Sequence, residues 1–178
     1  MVERAGAPLS DREPVHRVIS ANDEPIGDDE LQQLLMKVFI DGGFTDSARA
    51  ALFDPREVHA RGEVLYLRHS ESGALMGVVV LVPPASPARR LADDTQSELH
   101  LLATAPEFRR SGVARALVDA AIARATHAGH SGMVLWTQPA MRAAHRLYVA
   151  SGFVRDHERD FELSGREFLV FQRPLTRG

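Results

Sequence analysis

The sequence predicts one mixed α/β domain. Segments with strand alternation and segments with helical three- and four-residue spacing follow one another in the order β, α, α, β, β, β, α, β, α, β, β. No repeat, low-complexity tract or linker splits that series into two cores. The 178 residues are enough for a sizeable core, and 44% hydrophobic with 25% charged residues is ordinary for a folded chain.

Residues 1–13 are polar and contain Gly and Pro, so they read as a flexible leader before a domain spanning 14–178. "VHRVIS" (Val15 to Ser20) alternates as a strand does. In "PIGDDELQQLLMKVF", Leu31, Leu34, Leu35 and Val38 share one helical face, with Asp28 and Asp29 as candidate caps. Gly42 and Gly43 end it. "DSARAALF" is a weaker helical stretch, and "DPREVHARG" offers Asp54 as cap with Pro55 at the first helical position. "EVLYLRH" and "ALMGVVVLV" flank the turn formers "SESG" and predict an antiparallel hairpin. A proline-rich loop, "PPASPARRLADDT", leads to a fourth strand, "QSELHLLAT". A long helix is expected from Ser111 to His127, ended by Gly129 and Gly132. "MVLWT" is apolar enough for the middle of a sheet. "PAMRAAHRLYVASG" reads as a helix that starts near Pro139 and ends at Gly152. "FVRDHERDFEL" and "EFLVFQRPL" read as two strands.

Composition narrows the function classes. A net charge of −3 argues against a nucleic-acid partner. The absence of cysteine removes disulfides, thiolate metal sites and cysteine nucleophiles. The eight histidines show no metal-ligand spacing, so no metal is expected. The N-terminus lacks a signal-peptide core, and the longest apolar run, Ala74 to Val82, is too short for a membrane helix. A cytoplasmic protein without a membrane partner is the expectation.

The informative stretch is "EFRRSGVARAL". A helix N-terminus presents unpaired N–H groups and a partial positive charge, which suit an anion. Gly112 permits close approach to the backbone there. Arg109 and Arg110 add positive charge at an end where cations are ordinarily unfavourable. The stretch by itself supports an anion site or a plain helix start with two solvated arginines. Neither GxGxxG nor GxxxxGK[ST] is present, so dinucleotide and P-loop readings lose their main support.

This segment resembles the acyl-coenzyme A signature of the GNAT superfamily of N-acetyltransferases: Arg or Gln, two residues, Gly, one residue, Gly or Ala, here Arg109, Gly112 and Ala114. "AAHRLYVASGF" resembles the family's second segment through Ala144, Leu147, Tyr148, Gly152 and Phe153. The resemblance covers roughly residues 14–175. One departure is Met141, where the family often has an asparagine that helps hold the cofactor. The resemblance implies a mostly antiparallel twisted sheet flanked by helices, with a cofactor cleft between the fourth and fifth strands.

It also implies acetyl-CoA as donor and a primary amine of a small molecule or peptide as acceptor, reacting directly in a ternary complex. The pyrophosphate would lie against Arg109, Arg110, Ser111, Gly112, Val113, Ala114 and Arg115. The pantetheine would bond like an added strand to Leu102, Ala103 and Thr104. A strand N–H there would stabilise the oxyanion. An alkyl ammonium, with a pKa of about 10.4, must lose a proton before attack, so a general base helps. Glu98 and His100, two residues apart on the fourth strand, share a face and are both candidates; each could equally be a polar residue on an exposed face. Tyr148 is the implied proton donor to the departing thiolate. Trp136 is either core or cleft lining. Asp156, Glu158, Asp160 and Glu162 read as a solvated strand face, with attraction of a cationic acceptor as the alternative. Acceptor choice is expected to lie in the first helices, the loop near 83–95 and the last hairpin. The resemblance is compatible with a homodimer. Transfer of another acyl group and a non-catalytic acyl-CoA-binding or regulatory domain remain as alternatives.

Overall fold

The computed structural model describes residues 17–176, so the expected leader lies outside the described residues. Eight strands form one sheet in the order β1-β2-β3-β4-β5-β8-β6, with β7 paired to β8. They are β1 (Ile19–Ser20), β2 (Glu63–Arg68), β3 (Leu75–Val82), β4 (Gln96–Thr104), β5 (Gly132–Thr137), β6 (Val154–Arg155), β7 (Phe161–Leu163) and β8 (Arg166–Pro174). Every pairing is antiparallel except β4 with β5, which the helix α3 (Val113–His127) joins as a crossover.

Both faces of the sheet are covered, which explains why all eight residues of β3 are buried. Strand alternation sends Leu65, Leu67, Val79 and Leu81 to the face packed by Leu117, Val118 and Ala121 of α3. It sends Val64, Tyr66, Val78 and Val80 to the opposite face, under Leu31, Leu34 and Leu35 of α1 (Asp28–Met36) and Val58 of α2 (Pro55–Arg61). Gly77 lets α3 approach closely. A Cβ there would sit 2.7 Å from the Ala103 carbonyl oxygen and 2.8 Å from Val113 Cγ1.

Several elements depart from the expected pattern. Gly27, not an aspartate, caps α1; Asp28 and Asp29 lie in its first turn, where they complement the helix dipole. The helix continues as a π turn over Lys37–Asp41, and the weak helical stretch is a 3-10 helix over Ser47–Phe53. Asp54 does cap α2, accepting from the Arg56 N–H at 2.8 Å. The last helix, α4, spans Arg142–Ala150. The expected strand at 153–163 is broken into β6, a 3-10 turn over His157–Arg159, and β7. Asp160 turns inward to bind the Arg155 guanidinium and the Val170 N–H, so the acidic alternation is not a strand face. Among the described residues no helix is long and apolar enough to cross a membrane.

Candidate active site

The cleft comes from an incomplete pairing. β4 pairs with β5 only from Gln96 to Leu99, opposite Gly132 to Leu135. From His100 to Thr104, β4 continues without a partner on that edge. The divergence coincides with a bulge. Val78 faces Ala103 and Val80 faces His100, so β4 carries one residue more than β3 across this interval. Leu101 absorbs it with φ of 53°, a left-handed conformation rare for leucine. The Ala105 N–H donates to the Met76 carbonyl at 2.9 Å. Alternation then turns the Leu102 and Thr104 amides away from β3, toward the open edge.

Beyond Thr104 the chain makes a short 3-10 turn, Pro106–Phe108, and enters α3. Arg110 (φ 63°) and Gly112 (φ 81°) are both left-handed, which gathers successive amides into a concave backbone surface. Gly112 is the N-cap of α3 and offers no side chain. The first bond it accepts as cap is from the Ala116 N–H, at 2.9 Å, so the amides of Val113, Ala114 and Arg115 have no partner within the helix. Arg109 and Arg110 are exposed and form no ion pair among the described residues. Arg115 is directed elsewhere, to Asp119 at 2.8 Å. Ser111 donates to the Phe108 carbonyl at 2.6 Å, which braces the loop. The unpaired amides and free guanidiniums suit a pyrophosphate, and the open β4 edge suits an amide-bearing chain.

A cavity of about 370 Å³ opens beside β4 and reaches His100, Leu101, Leu102, Trp136, Met141 and Tyr148. Its other walls come from Phe39, Arg49 and Phe53, from Ala88 and Arg90 of the proline-rich loop, and from Arg166 and Phe168 of the last hairpin. Asp156, Glu158, Asp160 and Glu162 do not line it.

Glu98 and His100 share a face but are not equivalent. Glu98 is completely buried and does not line the cavity, whereas His100 does. One carboxylate oxygen of Glu98 accepts the N–H groups of Arg90 (2.8 Å), Leu91 and Ala92 (2.6 Å). The other meets His100 Nε2 at 2.7 Å. Burial alone would raise the Glu98 carboxyl, but the hydrogen bonds from His100, Ala92, Leu91 and Arg90 outweigh it and hold the group below its ordinary value. An ionised carboxylate only accepts, so Nε2 carries hydrogen and neutral His100 keeps its lone pair on Nδ1. The Trp136 ring packs edge-on against His100 at 4.6 Å, which makes Trp136 a cavity residue.

Tyr148 is held by α4 against Phe153 and Phe171, each at 6.0 Å between ring centres. Burial pushes its phenol well above the ordinary value, so it stays protonated at neutral pH. Its hydroxyl has no hydrogen-bond partner among the described residues. Met141, where the resemblance led to an asparagine, accepts a weak hydrogen bond from Thr137 Oγ1 to its sulfur at 3.4 Å.

The family model described as Acetyltransferase (GNAT) family matches residues 29–153. N-acetyltransferase family 8 member 3 of Rattus norvegicus is 34% identical over 86 residues, which are 48% of this chain and 36% of that protein. The match therefore spans only about a third of the relative's length. An acetyltransferase of the GNAT family from Staphylococcus aureus Mu50 superposes with a TM-score of 0.69 at 16% identity, covering 90% of this chain and 99% of its own. The Bacillus subtilis acetyltransferase in complex with CoA gives 0.64 at 21%, with 90% and 99% coverage. The ribosomal-protein-S18-alanine N-acetyltransferase of Escherichia coli gives 0.61 at 17%, with 92% and 96%. At these identities the structures show a shared fold.

Proposed function

The chain belongs to the GNAT acetyltransferase family and is an acyltransferase, and from that premise we propose that it moves an acetyl group from acetyl-CoA to a primary amine in a ternary complex. What carries this reading is the meeting of His100, Tyr148 and the open edge of β4 in one cavity, with the anion cradle beyond the end of that strand. Acetyl-CoA supplies the activated acetyl group. The amides of Gly112, Val113 and Ala114, with Arg109 and Arg110, hold its pyrophosphate, while Leu102, Ala103 and Thr104 provide the strand edge for the pantetheine.

His100 Nδ1 takes the ammonium proton, and Glu98 fixes the imidazole tautomer from behind as a positioning residue. The freed amine forms a C–N bond to the thioester carbon as the C–S bond breaks. A β4 amide at the cleft edge stabilises charge on the carbonyl oxygen. Tyr148 gives its proton to the departing sulfur and regains one from the nitrogen as that becomes an amide.

Thiol release over a panel of primary amines, with acetyl-CoA binding measured by calorimetry, tests this. Turnover is expected, and Tyr148→Phe should lower kcat by about 10²-fold while acetyl-CoA still binds. Binding without thiol release across the panel would favour the non-catalytic reading. Faster release from a propionyl or succinyl thioester would favour another donor.

A further inference from the structure

The charge of the cavity wall bears on the acceptor. Four arginines line the cavity, Arg49, Arg61, Arg90 and Arg166, and no aspartate or glutamate does. Arg166 is already engaged, with Asp46 at 2.8 Å and Thr45 Oγ1 at 2.9 Å. The other three form no ion pair among the described residues. Arg61 is half-buried, and one of its nitrogens donates to the Leu52 carbonyl at 2.8 Å. Burial lowers its guanidinium from the ordinary value, and Glu57, one helical turn earlier, partly offsets this without forming an ion pair. Arg90 lies over the Phe161 ring at 5.6 Å and keeps its polar edge free. Glu98 lies behind His100 and already accepts four hydrogen bonds. Arg90 is exposed and Arg49 and Arg61 are half-buried, so water screens the three only in part, and a ligand anion would supply the counter-charge this wall lacks.

The position of Arg90 separates this anion from the cofactor's phosphate. Arg90 sits at the level of Glu98, whereas the cradle lies beyond Thr104. Six residues of strand separate the two levels, roughly 20 Å. We propose that the acceptor is an amine that also carries an oxyanion, a carboxylate or a phosphate, bound by Arg49, Arg61 and Arg90. The inference rests on the acetyl-transfer reading and adds the substrate class. The guanidinium fork matches either oxyanion. The same positive field disfavours acceptors that bring no anion to offset their ammonium charge. It also disfavours polyamines and lysine-rich peptides.

Thiol release is measured on matched acceptors: free amino acids against their carboxamides, and aminoalkyl phosphonates against their diesters. The charged member of at least one pair should lead by about tenfold or more in kcat/KM. Arg49→Gln and Arg90→Gln, singly and together, should erase that lead through KM and leave acetyl-CoA affinity within about twofold. Which pair leads identifies the oxyanion. Neutral acceptors reacting as well as charged ones, or a lead that survives the double variant, overturns the proposal and leaves acetyl transfer standing. A tenfold loss of acetyl-CoA affinity in these variants also overturns it, since the arginines would then belong to the cofactor site. If no acceptor releases thiol, the transfer reading fails. The charge preference is then read by calorimetry of N-acetylated amino acids and their amides on CoA-loaded protein, where equal binding overturns it.

Discussion

Glu98 divides two jobs between its two oxygens. One fastens the loop residues 90–92 to the sheet, and the other orients His100. Glu98→Gln would set an amide donor against those groups, so stability at pH 7 should fall by about 1–3 kcal/mol. The pH dependence has a definite sign. The folded carboxyl lies below its ordinary 4.5, so its contribution is complete above that value and is lost as pH falls through the folded one. In denaturant melts, wild type should therefore lose its advantage over the variant below about pH 4.5. That Glu98 and His100 share a face was legible from their spacing. Which of them meets the cavity was not, because the three amides that occupy Glu98 come from a loop whose path no local pattern encodes. Arg49, Arg61 and Arg90 gave no signal either, since isolated arginines on short helices and loops are usually solvated.

At the scale of elements, the strands and the long helix followed from alternation, glycine stops and turn formers. The misread region, 153–163, alternated correctly but folded otherwise, because the Arg155–Asp160 pair closes a turn across it. The bulge on β4 was invisible, since nothing in "LHLLAT" marks a leucine for a left-handed conformation. Gly77 shows how closely the cleft depends on packing behind it. Gly77→Ala places a methyl against the Ala103 carbonyl and Val113, so β4 and the first turn of α3 must move apart. A loss of about 1–3 kcal/mol in stability is expected. Weaker acetyl-CoA binding should accompany it in calorimetry, because both donor-binding elements meet at that contact.

Over the whole molecule, a ligand that spans β4 and α3 adds a second tie between elements joined by the chain at residues 105–112 and packed through the core. Acetyl-CoA at about a hundred times its Kd should add about 2.7 kcal/mol and raise the melting temperature. Gly112→Glu, which puts a carboxylate at the cradle, should remove most of that rise. Net charge is a whole-molecule quantity and does not report the charge of a site: a chain with charge −3 still holds a cavity whose charged lining is entirely arginine. The bulge at Leu101 also governs how the chain can change by descent. Before it, His100 and Glu98 share the α1 face of the sheet; after it, the parity reverses and Leu101 and Ala103 take that face. Losing the Leu101 codon would restore one-to-one pairing with β3, keep His100 and Ala103 on the faces they already occupy, and remove the irregularity at which β4 leaves β5. Point substitutions change side chains on either half of β4, whereas this deletion acts on the backbone where the cleft opens, so this strand's length should be far less free to drift than its letters.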